Sequence, residues 1–255
     1  ADTVRIDAGK FKMGCRPDDD PGCQPDEQPG HTVRLEAFRI DRLEVSVARY
    51  AACVRAGRCT TEGLSESELC NWTHADRVDQ PVNCVDWNQA MAYCQWVGMR
   101  LPTEAEWERA ARGDDGRRYP WGDEAPDCER AVLDDGGDGC GRDSTWPVGS
   151  KPAGKSPAGA LDLAGNVWEW VADRYDEKYY DRSPKRSPKG PAIGSSRGMR
   201  GGSWLSGDPA DLRSAGRHAA RPEHRNYNLG FRCAADAEPG VPEDGERDDE
   251  DADEE

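Results

Sequence analysis

The chain has 255 residues, a formal net charge of −16, 33% charged and 35% hydrophobic residues. That length suits one soluble domain hiding about 70 to 75% of its unfolded surface, so disulfides are not needed merely to make it fold. No run approaches ~18 consecutive apolar residues, which excludes a transmembrane helix, and the acidic balance argues against a nucleic-acid binder.

In chain order, residues 3–14 and 31–40 alternate apolar with polar side chains and are split by an Asp/Pro/Gly cluster at 16–30, the pattern of strands around a loop. Ser46 is placed to cap a helix over Val47 to Arg55, with Gly57 as its stop. A second helix fits Asn88 to Val97, followed by Gly98. The third carries the clearest signal: Thr103 as N-cap with Glu106 three residues on makes a capping box, and the helix ends near Gly113. From 114 to 235 the chain is rich in Gly, Pro and Asp, with short alternating runs such as Val167 to Val171. Helices first and irregular β structure later predict a single α+β domain over residues 1–236.

Two segments stand apart in charge. Residues 182–190 (RSPKRSPKG) are basic and proline-rich, either an exposed loop or a contact for an acidic partner. Residues 237–255 hold 11 acidic side chains against Arg247 alone and no aromatic residue, so an acidic disordered tail is expected.

The ten cysteines contain no CxxC pair, and the four histidines sit beside no cysteine pair, so disulfides fit better than zinc. Bridges persist in oxidising compartments, so an exported protein is expected, in the periplasm, at the cell surface or secreted. No leader precedes Ala1, and the signal peptide is expected to have been removed already. Cys15 with Cys23, and Cys128 with Cys140, are placed to close short loops. Cys53, Cys59, Cys70 and Cys84 form two further bridges whose pairing the sequence leaves open.

Seven ordered motifs carry a family resemblance: Phe38 to Asp41 with Glu44 to Ser46, Pro81 to Trp87, Arg100 to Glu108, Tyr119 to Gly122, Gly165 to Trp170, Arg200 to Trp204, and Asn228 to Arg232. Together they resemble the formylglycine-generating enzyme or sulfatase-modifying factor family. The resemblance implies a C-type-lectin-like α+β fold rich in irregular structure, and it implies a Cys94–Cys233 bridge. Enzymes of that family oxidise a peptide cysteine with O₂ and copper held by two thiolates, three and eight residues after the Ser of the Arg-Gly-Gly-Ser motif. Those positions here are Ser206 and Asp211, so copper is not expected: copper(I) selects soft thiolates.

The family's calcium pattern maps onto the Asp162 and Glu169 side chains and the Gly165 and Val167 carbonyls, implying one calcium ion. The competing reading has Asp162 capping its turn and Glu169 pairing with an arginine. A second family site falls where Val132 replaces an expected Asn, with Asp134, Asp135 and Asp138 as possible compensation.

These residues lead to the expectation of an exported, calcium-stabilised, non-catalytic binding or assembly module with a protein or glycan partner. Its contact surface is expected around Trp204, Leu205, Ser206, Asp208, Asp211, His218, His224 and Tyr227. The alternative is a cysteine-independent oxidase acting on a peptide or small molecule, with Asp211, His218 or Tyr227 transferring protons. Arg213, Arg217, Arg221 and Arg225 recur every four residues, and ion pairing to carboxylates is preferred over a basic face.

Overall fold

In the computed structural model, residues 2–20 and 22–237 are described; the acidic segment from 238 onward lies outside them. The alternating runs each divide in two. Residues 3–14 form β1 (Thr3–Ile6) and β2 (Gly9–Met13), and residues 31–40 contribute to β3 (His31–Leu35) and β4 (Phe38–Asp41). The breaks at Asp7–Ala8 and Glu36–Ala37 exist because the two halves serve different sheets. β1 pairs antiparallel with β4, which also takes β9 (Ala234–Asp236), whereas β2 pairs with β3 alone.

Three helices follow the expected start signals. Ser46 accepts from the Arg49 N–H to begin α1 (Val47–Arg55). α2 runs Trp87–Trp96, one residue earlier than expected, because Asp86 caps it in a box with Gln89. α3 (Glu104–Arg112) has the Thr103/Glu106 box and ends at Gly113. The later half is irregular around a four-stranded sheet ordered β7 (His218–Ala220), β6 (Arg197–Arg200), β5 (Trp168–Arg174), β8 (Leu229–Gly230). His218, named for the contact surface, opens β7 at the edge of this sheet; His224 lies in an exposed turn.

Two apolar clusters flank β5. One joins α1 and α2 to Trp170, Leu229 and Phe231; the other joins the N-terminal strands to α3 through Trp107 and Val171. Buried ion pairs cross between the layers. Arg200 meets Glu108 at 2.5 Å, Arg213 meets Glu27 at 2.6 Å, and Arg217 meets Glu104 at 2.8 Å. With Arg225 on Asp86, the four-residue row of arginines is an ion-paired set except for exposed Arg221.

All ten cysteines are bridged: Cys15–Cys23, Cys53–Cys59, Cys70–Cys84, Cys94–Cys233 and Cys128–Cys140. Five disulfides point to an oxidising, exported environment. Among the described residues no helix is long and apolar enough to cross a membrane. Cys94–Cys233 spans 139 residues and Cys53–Cys59 only 6. Chain-entropy arguments therefore predict that replacing the long-range pair by alanines costs about 3 kcal/mol more than replacing the short one. Denaturant unfolding of the two double variants checks this order.

Candidate functional site

The turn that leaves β6, Arg200-Gly201-Gly202-Ser203, sets the geometry of the candidate site. Gly202 adopts φ +72°, and a Cβ there would lie 2.8 Å from the Leu212 side chain and 3.1 Å from the Asp211 carbonyl. Only glycine lets segments 201–206 and 208–212 lie this close. Ser206 is buried, and its hydroxyl oxygen accepts from the Ser203 N–H at 3.1 Å. Burial pushes the Asp211 carboxyl above the usual range; the Ser206 hydroxyl, donating to it, draws it back, Asp208 pushes it further up, and His218 pulls it down. The positions three and eight residues beyond Ser203 are thus in mutual contact and hold a hydroxyl and a carboxylate.

Beside them lies a cavity of about 270 Å³ lined by Gln24, Glu27, Trp168, Asp208, Ala210, Asp211, Gly216 and Arg217. Two of its charges are already answered. Arg213 grips both Glu27 oxygens at 2.6 and 2.7 Å, and Arg217 is forked onto Glu104 at 2.8 and 3.0 Å. Asp208 and Asp211 have no ion-pair partner among the described residues. The Trp168 ring forms one wall, with the His218 ring tilted against it at 5.4 Å. The cavity is therefore lined by an aromatic ring and by two carboxyl groups that have no ion-pair partner among the described residues.

Of the expected contact residues, Ser206, Asp208, Asp211 and His218 come together. Trp204 does not face solvent: it is 3% exposed, its indole N–H donates to the Tyr227 carbonyl at 3.3 Å, and its ring lies 5.9 Å from that of Tyr227. Leu205 is half-buried and His224 is exposed elsewhere in the turn at 221–224. Gln24, Glu27, Trp168 and Arg217 line the cavity but were not expected to. Their approach from distant parts of the chain leaves no local pattern.

The turn Asp162 to Glu169 is built on positive φ at Asp162 (+56°), Gly165 (+81°) and Asn166 (+61°). A Cβ on Gly165 would stand 2.3 Å from the Val132 carbonyl oxygen. Asp162 accepts from the Gly149 N–H at 2.6 Å, and burial pushes its carboxyl up to about 6. Glu169 is fully buried, with Arg232 at 2.6 and 2.7 Å and the Trp107 indole N–H at 2.8 Å. Glu169 thus pairs with an arginine, whereas the Asp162 carboxylate holds Gly149 of another segment and does not cap its own turn. Glu44, not singled out from the sequence, joins the cluster. It accepts from the Asn166 amide at 2.7 Å, and burial together with the charges of Asp162 and Glu169 holds its carboxyl well above the usual range. Glu44, Asp162 and Glu169 are thus close enough for their charges to act on one another, with Arg232 offsetting part of that charge. At the second stretch, Val132 is buried and its carbonyl accepts from the Asn166 N–H.

Residues 1–237 match the family model described as the sulfatase-modifying factor enzyme 1-like domain. The chain belongs to that family. It is 38% identical to the formylglycine-generating enzyme of Streptomyces coelicolor, over 92% of this chain and 89% of that protein. It is 34% identical to the hercynine oxygenase of Mycolicibacterium thermoresistibile, over 89% of this chain and 57% of that protein. The structure of PvdO from Pseudomonas aeruginosa superposes with a TM-score of 0.75 at 30% identity, covering 92% of this chain and 94% of PvdO. Treponema denticola variable protein 1 gives a TM-score of 0.72 at 25% identity, covering 92% and 95%. The family model thus spans nearly all the described residues, and the positions three and eight beyond Ser203 are Ser206 and Asp211.

The electrostatics of the cavity set a pH expectation. His218→Ala removes the positive charge that His218 carries when protonated, so the Asp211 carboxyl should titrate at higher pH. Asp208→Asn removes a like charge, so it should titrate at lower pH. Carboxyl-carbon NMR titration of the two variants reads both directions.

Proposed function

We propose that this domain is an exported, non-catalytic binding or assembly module on a formylglycine-generating scaffold, and that its pocket takes a cationic side chain of a protein or glycan partner. The observation that carries this reading is the state of the sulfur: every cysteine in the chain is in a disulfide, and Ser206 and Asp211 occupy the positions that the resemblance assigns to the copper thiolates. No thiolate is left to hold copper(I) or to pass electrons to O₂. The pocket, at about 270 Å³, falls just below the ~300–1,000 Å³ of small-molecule sites, which favours one inserted side chain over a whole ligand. Trp168 with Asp208 and Asp211 supplies what an ammonium or guanidinium seeks, an aromatic ring and carboxyl oxygens.

The formylglycine assay tests the non-catalytic part. Incubated with copper and a cysteine-containing sulfatase-type peptide, the protein should form no aldehyde. A hydrazine-trapped aldehyde that disappears in copper-free buffer would establish catalysis and favour the oxidase reading.

The same proposal includes one calcium ion held by the Asp162 and Glu169 side chains and the Gly165 and Val167 carbonyls. Its role is structural: it would offset the negative charge that Glu44, Asp162 and Glu169 hold beyond Arg232. A ligand bound only to the folded state stabilises it by mass action, so calcium at about 100 times its Kd should add about 2.7 kcal/mol. Thermal unfolding with chelator and with calcium measures it. Identical melting temperatures would remove the ion from the account.

A further inference from the structure

A groove of about 620 Å³ is walled by parts of α2, α3, β5 and segment 187–189, and it shares no lining residue with the aromatic cavity. Leu35, Met91, Leu101 and Ala172 supply its apolar lining. Its size lies inside the ~300–1,000 Å³ of small-molecule sites, which pair apolar walls with a few placed polar groups. Its charges lean negative: Glu36, Glu106, Asp173 and Asp236 stand against Arg100 and Lys189. Most of these are answered. Arg100 forks onto Glu106 at 2.7 Å and meets Asp236 at 2.5 Å, and exposed Glu36 has exposed Arg186 at 3.5 Å. Arg100, and after it Lys189, holds the Asp236 carboxyl below the usual range.

Asp173 is the exception. It is 3% exposed, and its Oδ2 accepts from the Glu104 N–H at 2.9 Å. Its Oδ1 has no hydrogen-bond partner among the described residues and is not sealed from solvent. The guanidinium groups whose charges couple to it are committed elsewhere: Arg217 forks onto Glu104, and Arg197 donates to the Ala172 carbonyl at 2.8 Å and lies over the Trp87 ring at 3.8 Å. Burial, then the charges of Glu104 and Glu106, push the Asp173 carboxyl well above the usual range, against the pull of the Glu104 N–H and Arg217. The groove wall is fitted to this carboxyl. Gly190 adopts φ +76°, and a Cβ there would lie 2.8 Å from the Asp173 Cβ and 3.1 Å from its Oδ1. Only glycine lets the segment after Lys189 close over Asp173.

We propose that this groove is a second ligand site, which takes a small primary amine with an apolar body: the ammonium on Asp173 Oδ1, the carbon chain along Met91, Leu101 and Ala172. Buried carboxyl groups are normally paired or fully hydrogen-bonded, and Asp173 has one bond for two oxygens. An ammonium completes the set. It brings three donors and a positive charge, which favours the ionised carboxylate over the neutral acid that burial favours. A carboxylate ligand would meet like charge, and an alcohol of the same length offers a hydrogen bond without the charge. The site stands independently of the aromatic cavity, whose carboxyls are Asp208 and Asp211 and whose wall is Trp168.

Titration calorimetry of the full chain with hexylammonium and with 1-hexanol tests the site, since the two ligands differ only in the charged head. Hexylammonium should bind about tenfold more tightly, the scale of a charge-assisted hydrogen bond over a neutral one. Asp173→Asn, whose amide oxygen can still accept from the Glu104 N–H, should bring the amine down to the affinity of the alcohol and leave the alcohol unchanged. Met91→Ala keeps the carboxyl and shortens the apolar wall, so it should weaken both ligands alike. The double variant Asp208→Asn, Asp211→Asn should keep the full preference for the amine. No binding, equal binding of the two ligands, or a preference that survives Asp173→Asn would overturn the site. A preference lost in the Asp208, Asp211 double variant would overturn it in favour of the aromatic cavity.

Discussion

The structure turns on one buried guanidinium. Arg232 forks onto Glu169 of β5 and reaches the carbonyls of Asp41 and Arg42 at 3.2 Å, Leu161 at 2.9 Å and Asp162 at 3.1 Å. It ties the end of β4, the turn entering the 162–169 segment, and the central strand to one point next to the Cys94–Cys233 bridge. A charge this deep is tolerated only because its partners are complete. Removing one partner of such a pair costs about 3–5 kcal/mol, since the other is left buried and unanswered. The same pair places Trp168, two residues before Trp170 on β5, where it can form the cavity wall.

That arrangement explains how the scaffold survives without the thiols. The fold rests on five disulfides, two apolar clusters and the crossing pairs of Arg200, Arg213, Arg217 and Arg232, none of which involves residue 206 or 211. Positions 206 and 211 are held by the approach of two loops at Gly202, and what they carry is a local matter of chemistry. Serine and aspartate in this setting give a neighbouring hydroxyl and carboxyl, the carboxyl displaced upward by burial and drawn back by the hydroxyl. Fold and reaction are separable here for a structural reason.

The sequence was most legible where the deciding interaction is local. Ser46 and Thr103 cap helices within three residues of themselves, and Cys15–Cys23 and Cys128–Cys140 close loops of 8 and 12 residues. The family motifs implied the α+β lectin-like fold and the Cys94–Cys233 bridge, and both are present. Legibility ended where pairing is distant. Arg213 meets Glu27 across 186 positions and Arg217 meets Glu104 across 113, so the cavity they shape has no signature along the chain. The alternation over 3–14 and 31–40 reads as continuous strands, because a change of sheet partner at Ala8 or Ala37 leaves the apolar period intact. Trp204 reads as a surface residue from its place beside the copper position, yet its indole is consumed by Tyr227.

The central claim is that the domain keeps the family fold without its metal chemistry, and copper(I) affinity tests it most directly. The unreduced protein would be titrated against a coloured copper(I) chelator of known affinity under anaerobic conditions. The chelator should retain all the copper, since hydroxyl, carboxylate and disulfide sulfur do not make a two-thiolate site. Withdrawal of one equivalent of copper(I) by the folded, unreduced protein would contradict the account.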